Sequence, residues 1–214
     1  MTAPAAVGAV GLESDLPPKQ ERLVRAAYRE ISERGAHRVS LQDIADRAGV
    51  SKAVILYYFG SRDRLLLETT RWVLSRTEAR IRAAIVGVTD PRRRLLAVID
   101  ELFSAPDVNR RFYLVYLDLL DHAARDPRFG ELHATFRSIV DALYEEVIAG
   151  GAAVGAFSAY DPTEAAEVMR AIIDGLFMQW LQEPHWHDTH HGYRERCKRA
   201  VMRYLQVATE EDGT

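Results

Sequence analysis

The chain has 214 residues, enough to bury a core in one large domain or in a small one joined to a larger one. Its composition, 48% hydrophobic and 28% charged, is that of an ordinary globular protein, and no run reaches the roughly 18 apolar residues of a membrane span, so no membrane partner is expected. The net charge of −3 hides an asymmetry: Lys19 to Arg64 carries ten Lys/Arg against six Asp/Glu, while the rest carries eighteen against twenty-five, so one end is suited to a polyanion.

The first 18 residues, "MTAPAAVGAVGLESDLPP", lack a basic start and include Glu13 and Asp15; they read as a disordered arm rather than a secretory signal. From Lys19 to Gly35 apolar Leu23, Ala26, Ala27, Tyr28 and Ile31 recur at helical spacing, and Gly35 supplies the stop. "SLQD" then offers Ser40 as N-cap with Asp43 at the third helical position, and the short helix it opens ends near Ala48, before Gly49. Ser51 begins another short helix that runs to Phe59. "VILYYF" taken alone also fits a buried strand, but the cap and the flanking glycines favour the helix.

Two short helices joined at "AGV" form a helix-turn-helix pattern. Ala45 is small where the helices cross, Ile44, Val50 and Ile55 are placed to fill the wedge, and the Lys19–Gly35 helix closes the third side. The opposite face carries Lys52, Ala53, Val54, Leu56, Tyr57 and Tyr58, a set of a size to enter a major groove about 12 Å wide. Lys52 and Arg62 bracket it with positive charge suited to phosphates.

A long helix is predicted from Arg62 to Val86. Asp90-Pro91, Asp126-Pro127 and Asp161-Pro162 each set a capping carboxylate before a proline, opening helices over 91–104, 128–149 and 161–182, with others over 109–125 and 190–208. Glycines 150, 151 and 155 are expected to form a connection. The whole chain therefore reads as all-α: residues 1–18 an arm, 19–64 a helix-turn-helix domain, 65–214 a larger helical domain.

"RLVRAAYREISERGAHRVSLQDIADRAGVSKAVILYYFGSRDRLL", Glu21 to about Leu67, resembles the DNA-binding domain of the TetR family of transcriptional regulators. The resemblance implies a dimeric repressor that binds double-stranded DNA at a palindromic operator and releases it when a small-molecule effector enters the larger domain. It implies DNA contacts from Ser40 and Gln42, base-facing positions at Lys52, Ala53 and Val54, and phosphate contacts from Tyr58 and Arg62. Leu56 stands where the family usually carries a backbone-touching tyrosine, so that hydroxyl is missing at 56 and the adjacent Tyr57 is a candidate for part of its role, and Ala53 stands where a glycine is common.

Beyond Leu67 the reading rests on pattern. The apolar stripes of 128–149 and 161–182 are wider than the roughly 100° of a one-sided helix; they suit a homodimer through these two helices, or a pair packed wholly within one subunit. Phe103, Tyr113, Tyr116, Phe136, Phe177 and Trp180, with polar Asp118 and His122, are the expected effector-site residues, since such sites are apolar with a few polar groups. Asp118 and His122 also have the spacing of a metal pair, and "HWHDTHH" from His185 to His191 brings His187 and His191 together, but a partly exposed connection is the simpler reading of that cluster and no metal site is assigned. Lone Cys197 allows no intrachain disulfide and points to the cytoplasm; although Arg196 and Lys198 flank it, an inert cysteine is expected. No nucleophile elbow, glycine-rich phosphate loop or zinc-protease motif is present, so no enzyme and no cofactor are expected. The competing class is a helical-bundle enzyme or carrier with a vestigial first domain.

Overall fold

Residues 16–158 and 161–206 are described by a computed structural model, and among them are nine α-helices, one 3₁₀ turn and no strand. The amino-terminal arm lies outside the described residues up to residue 15, and Pro18 already opens the first helix.

The helix-turn-helix follows its local signals. α1 (Pro18–Arg34) ends at Gly35, and a 3₁₀ turn (Ala36–Arg38) leads to α2 (Leu41–Ala48) and α3 (Lys52–Phe59). Ser40 Oγ accepts the N–H of Asp43 at 3.2 Å, and Asp43 Oδ2 accepts the N–H of Ser40 at 2.8 Å, so both orphan donors of the helix start are satisfied. Gly49 takes the left-handed conformation (φ 65°, ψ 40°) that makes the turn. Ser51 stands at the N-cap of α3 but its hydroxyl makes no capping bond.

A helix of eight residues is marginal alone. α3 is held because Ile55 and Phe59 are fully buried on one side against Ile44, Ala45 and Leu23, each contributing about 1.5–3 kcal/mol. Val50 is half-buried beside them. Arg47 of α2 is paired to Glu30 and Glu33 of α1, which fixes the crossing, and Glu30 is thereby buried with its charge matched.

α4 (Arg62–Ile85) joins this unit to α5 (Pro91–Leu102), α6 (Pro106–Ala123), α7 (Pro127–Ala153), α8 (Pro162–Leu181) and α9 (Trp186–Tyr204). Asp90, Asp126 and Asp161 cap α5, α7 and α8 through the N–H groups of Arg93, Arg128 and Thr163. Trp72 of α4 ties back to α1: its indole N–H donates to Glu21 Oε1 at 3.3 Å, and Arg25 and Arg76 lie over its ring.

Several expectations change. Gly150 and Gly151 lie inside α7 rather than in a connection, and the Phe157 ring packs directly over Gly151 and leaves no room for a side chain there. "HWHDTHH" is not a connection: α9 starts at Trp186, and His190 is buried within it. The wide stripe of α8 is accounted for inside the subunit, since α8 packs against both α7 and α9 and buries Ala165, Ala166, Met169, Ile173, Leu176, Phe177 and Trp180. Burial raises the Cys197 thiol to about 12, which leaves it protonated and unreactive.

Candidate functional site

The outward face of the helix-turn-helix assembles most of the residues the sequence singles out. Gln42, Lys52 and Ala53 are exposed, Val54 and Tyr58 are half-buried, and Tyr57 is 83% exposed. An exposed tyrosine on a helix whose other side is packed leaves most of its ring free for a partner outside the subunit. The Tyr57 and Tyr58 rings meet edge to face, 5.1 Å between centroids, which restrains both. Leu56 is also exposed, at 39%.

Two grooves flank α3. One, about 490 Å³, runs between α1 and α3 past Lys19, Arg22, Val54, Tyr57 and Tyr58. The other, about 470 Å³, is lined by His37, Arg38, Ser40, Lys52 and Arg62. Basic side chains in both give each edge of the recognition helix a surface suited to a phosphate backbone.

Two expected contacts have a prior engagement. Ser40 is exposed, but its hydroxyl belongs to the capping box, where its bond and that of Arg34 hold the Asp43 carboxyl far below the usual carboxylate range. Arg62 is half-buried and donates from Nη2 to the Ala36 carbonyl and from Nε to the Val39 carbonyl (3.1 Å), so its guanidinium first secures the turn before α2. Lys19, Arg22 and Arg38, which the sequence did not single out, share these grooves; the hint was their placement on the exposed edge of α1 and immediately before the Ser40 cap.

Deeper in the larger bundle, α4, α6, α7 and α8 enclose a cavity of about 40 Å³ lined by Thr77, Ile81, Phe112, Tyr113, Tyr116, Phe136, Tyr144, Arg170, Ile173 and Asp174, among others. Phe112, Tyr113, Tyr116, Phe136 and Tyr144 give it aromatic walls, Arg137 and Arg170 also line it, and Asp174 is the one carboxylate among its described lining residues. Burial among the rings raises the Asp174 pKa to about 6, against the lowering influence of Arg170 and the Tyr113 hydroxyl 3.4 Å away. The Tyr116 hydroxyl is hydrogen-bonded to His133 Nε2 at 3.1 Å.

Tyr113, Tyr116 and Phe136 therefore share one cavity, as the sequence suggested. The other expected effector residues lie elsewhere. Phe103 and Phe177 stack at 4.1 Å in the solid core, and Trp180 donates its indole N–H to the Trp186 carbonyl at 2.5 Å. Asp118 and His122 face the 3₁₀ turn that follows α1: Asp118 Oδ2 accepts the Ala36 N–H at 2.8 Å, and the His122 ring stacks on His37 at 5.4 Å. Asp174 and Tyr144 were missed; a lone acid inside the stripe "IIDGLF" was the available signal.

A profile described as "Bacterial regulatory proteins, tetR family" matches residues 23–69, and one described as "BetI-type transcriptional repressor, C-terminal" matches residues 91–208. The chain belongs to the TetR family. Within it, the chain is 30% identical to the HTH-type transcriptional regulator BetI of Agrobacterium fabrum over 79% of this chain and 79% of that protein. Against BetI of Brucella anthropi the identity is 36%, over 53% of this chain and 57% of that protein. A transcriptional regulator from Saccharomonospora viridis, solved in complex with choline, superposes with a TM-score of 0.82 at 26% identity, covering 89% of this chain and 98% of that one. A TetR regulator from Haloarcula marismortui gives 0.77 at 26% identity, over 88% and 96%. This TetR-family chain is thus a ligand-responsive DNA-binding regulator of the repressor type, not an enzyme. No helix among the described residues is long and apolar enough to cross a membrane.

Proposed function

We propose that this chain is a cytoplasmic, homodimeric repressor that leaves a palindromic operator when a quaternary ammonium cation, choline or a close relative, enters the cavity between α4, α6, α7 and α8. The observation that carries the reading is the partly buried carboxylate of Asp174 set among the rings of Tyr113, Tyr116, Phe136 and Tyr144. Aromatic faces attract a cation without needing its hydrogen bonds, and a quaternary ammonium nitrogen has no N–H to offer. Asp174 supplies the opposite charge, and a buried carboxylate is costly until such a charge arrives. The choline held by the Saccharomonospora viridis regulator is of this chemistry.

The free volume of about 40 Å³ is far below the roughly 300–1,000 Å³ of a ligand pocket. A larger ligand therefore has to displace rings or helices as it enters. That requirement makes binding a conformational event, and an effector shifts the equilibrium only by its differential affinity for the expanded state.

Dimerisation is assigned to the outer faces of α7 and α8. Ala134, Ser138 and Ala142 on α7, and Ala171 and Gly175 on α8, are exposed small residues that permit close approach of a second copy. Two recognition helices about 34–36 Å apart then read two half-sites. Ser40, Gln42, Lys52, Ala53, Val54, Tyr57, Tyr58 and Arg62 are the assigned DNA-facing set, with α1–α3 the reading unit and the bundle from α4 onward the sensing one.

Selection of bound DNA fragments, repeated with choline present, tests this reading. A palindrome recovered without choline and released with it is expected, together with loss of choline binding in Asp174→Asn. A choline-indifferent operator complex overturns the effector assignment.

A further inference from the structure

We propose that Asp141 is a specificity-determining residue of the cavity: by holding the Arg170 guanidinium on α7, it keeps Asp174 open to a cationic effector. The claim rests on the cation reading given above.

Arg170 and Asp174 are one turn apart on α8, a spacing at which an arginine and an aspartate ordinarily pair, and both line the cavity. Here they do not. Arg170 Nε donates instead to Asp141 Oδ1 on α7 at 2.5 Å, with the two side chains only 24% and 18% exposed. Asp174 is left with the long bond from the Tyr113 hydroxyl and with Arg170's charge acting through space.

The groups that face Asp174 are Tyr113 and Tyr116 from α6, Tyr144 and Asp141 from α7, and Arg170 from α8; Arg137 of α7 also lines the cavity but is exposed to solvent. Two carboxylates thus share one inward guanidinium, and Asp141 has the short hydrogen bond. The arrangement leaves a negative charge for the ligand to match. A neutral side chain at 141 would be a weaker acceptor for Arg170, whose nearest alternative is Asp174. Asp174 would then be paired with a guanidinium and would offer a cationic ligand less.

The test compares wild type, D141N and the double variant D141N/R170M, each checked for an unchanged thermal transition, by calorimetry with choline and by carbon-13 NMR titration of the Asp174 carboxyl. In D141N the Asp174 midpoint is expected to fall below its wild-type value and choline affinity to drop about tenfold or more. In D141N/R170M both are expected to return, which general damage would not allow. An unmoved midpoint in D141N overturns the proposal whether or not wild type binds choline, and so does the absence of rescue. Unchanged choline affinity in D141N, with wild type binding, also overturns it. If wild type takes no choline, the diversion of Arg170 stands only if a crystal structure of D141N shows the Arg170 guanidinium hydrogen-bonded to Asp174, and its absence overturns the proposal. Should D141N unfold, R170M and D141N/R170M decide: Asp141 acts through Arg170 only if the two bind choline equally, and weaker binding in the double variant overturns the proposal.

Discussion

The carboxylate of Asp118, on α6, accepts the backbone N–H of Ala36 at 2.8 Å, while Arg62 of α4 grips the carbonyl of the same residue. The turn that leads into α2 is therefore held from both sides by helices that also line the proposed effector cavity, α6 through Tyr113 and Tyr116, α4 through Thr77 and Ile81. Any movement of α6 that admits a ligand pulls on Ala36. Asp118→Ala strands a half-buried N–H, and a loss of about 1–2 kcal/mol of stability is expected in urea denaturation. The same variant should bind operator with a smaller difference between choline-free and choline-loaded forms, measured by anisotropy. Asp118→Asn keeps an acceptor and should retain most of that difference. Equal differences in all three proteins would remove Asp118 from the coupling route.

The DNA face yields a separate prediction. Tyr57 is 83% exposed, so Tyr57→Ala should change stability by no more than about 0.5 kcal/mol. Lys52 is exposed as well. Operator affinity should nonetheless fall in both, and Lys19→Ala, in the groove between α1 and α3, should reduce the slope of log affinity against log salt by about 1 if one phosphate contact is lost. Titrations at several salt concentrations measure this; an unchanged slope places Lys19 off the DNA.

What could be read beforehand was what is encoded locally. Ser40 with Asp43, Gly49, and the three Asp-Pro starts each act within four residues of themselves, so their geometry needed no knowledge of the rest of the chain. The cavity was harder because direction around a helix matters as much as composition. Asp118 follows Tyr116 by two positions, about 200° around α6, so an acid next to pocket aromatics in sequence faces the opposite way in space. Asp174, in contrast, sits among apolar neighbours that periodicity assigns wholesale to the core. The breadth of the α8 stripe leaves its partners open for a related reason: a helix flanked by two others within one subunit shows the same pattern as one shared with a second copy.

Gly151 offers a packing test. A methyl group there would run into the Phe157 ring, which is buried to 4% exposure. Gly151→Ala should destabilise by about 1–3 kcal/mol despite the better helix propensity of alanine. Combining it with Phe157→Leu, which makes room, should recover part of the loss; denaturation of the two single variants and the double variant shows whether the two sites couple.

The last prediction concerns acid. Asn109 donates through Nδ2 to the Leu102 carbonyl at 2.6 Å, which leaves its Oδ1 to accept the Nε2–H of His190 at 2.8 Å. His190 packs against Trp180 and Phe103, and burial, aided by the positive charge of Arg194, lowers its pKa to about 4. The unfolded chain binds this proton near the ordinary histidine value of about 6.5, so the unfolded state holds more protons between those two values. The stabilising contribution is then complete above about pH 6.5 and is lost as pH falls toward 4, by at most about 3 kcal/mol. Asp174 acts in the opposite sense, since its raised pKa makes the folded state hold the extra proton: its contribution is full below the unfolded carboxyl value and fades as pH rises through about 6. Between pH 4 and 6 the two partly offset each other. His190→Gln keeps a donor to Asn109 without titrating, so its denaturation curves should lose the acid-side fall while retaining the Asp174 slope. If wild type and His190→Gln lose stability in parallel from pH 6.5 to pH 4, His190 is not the group that titrates.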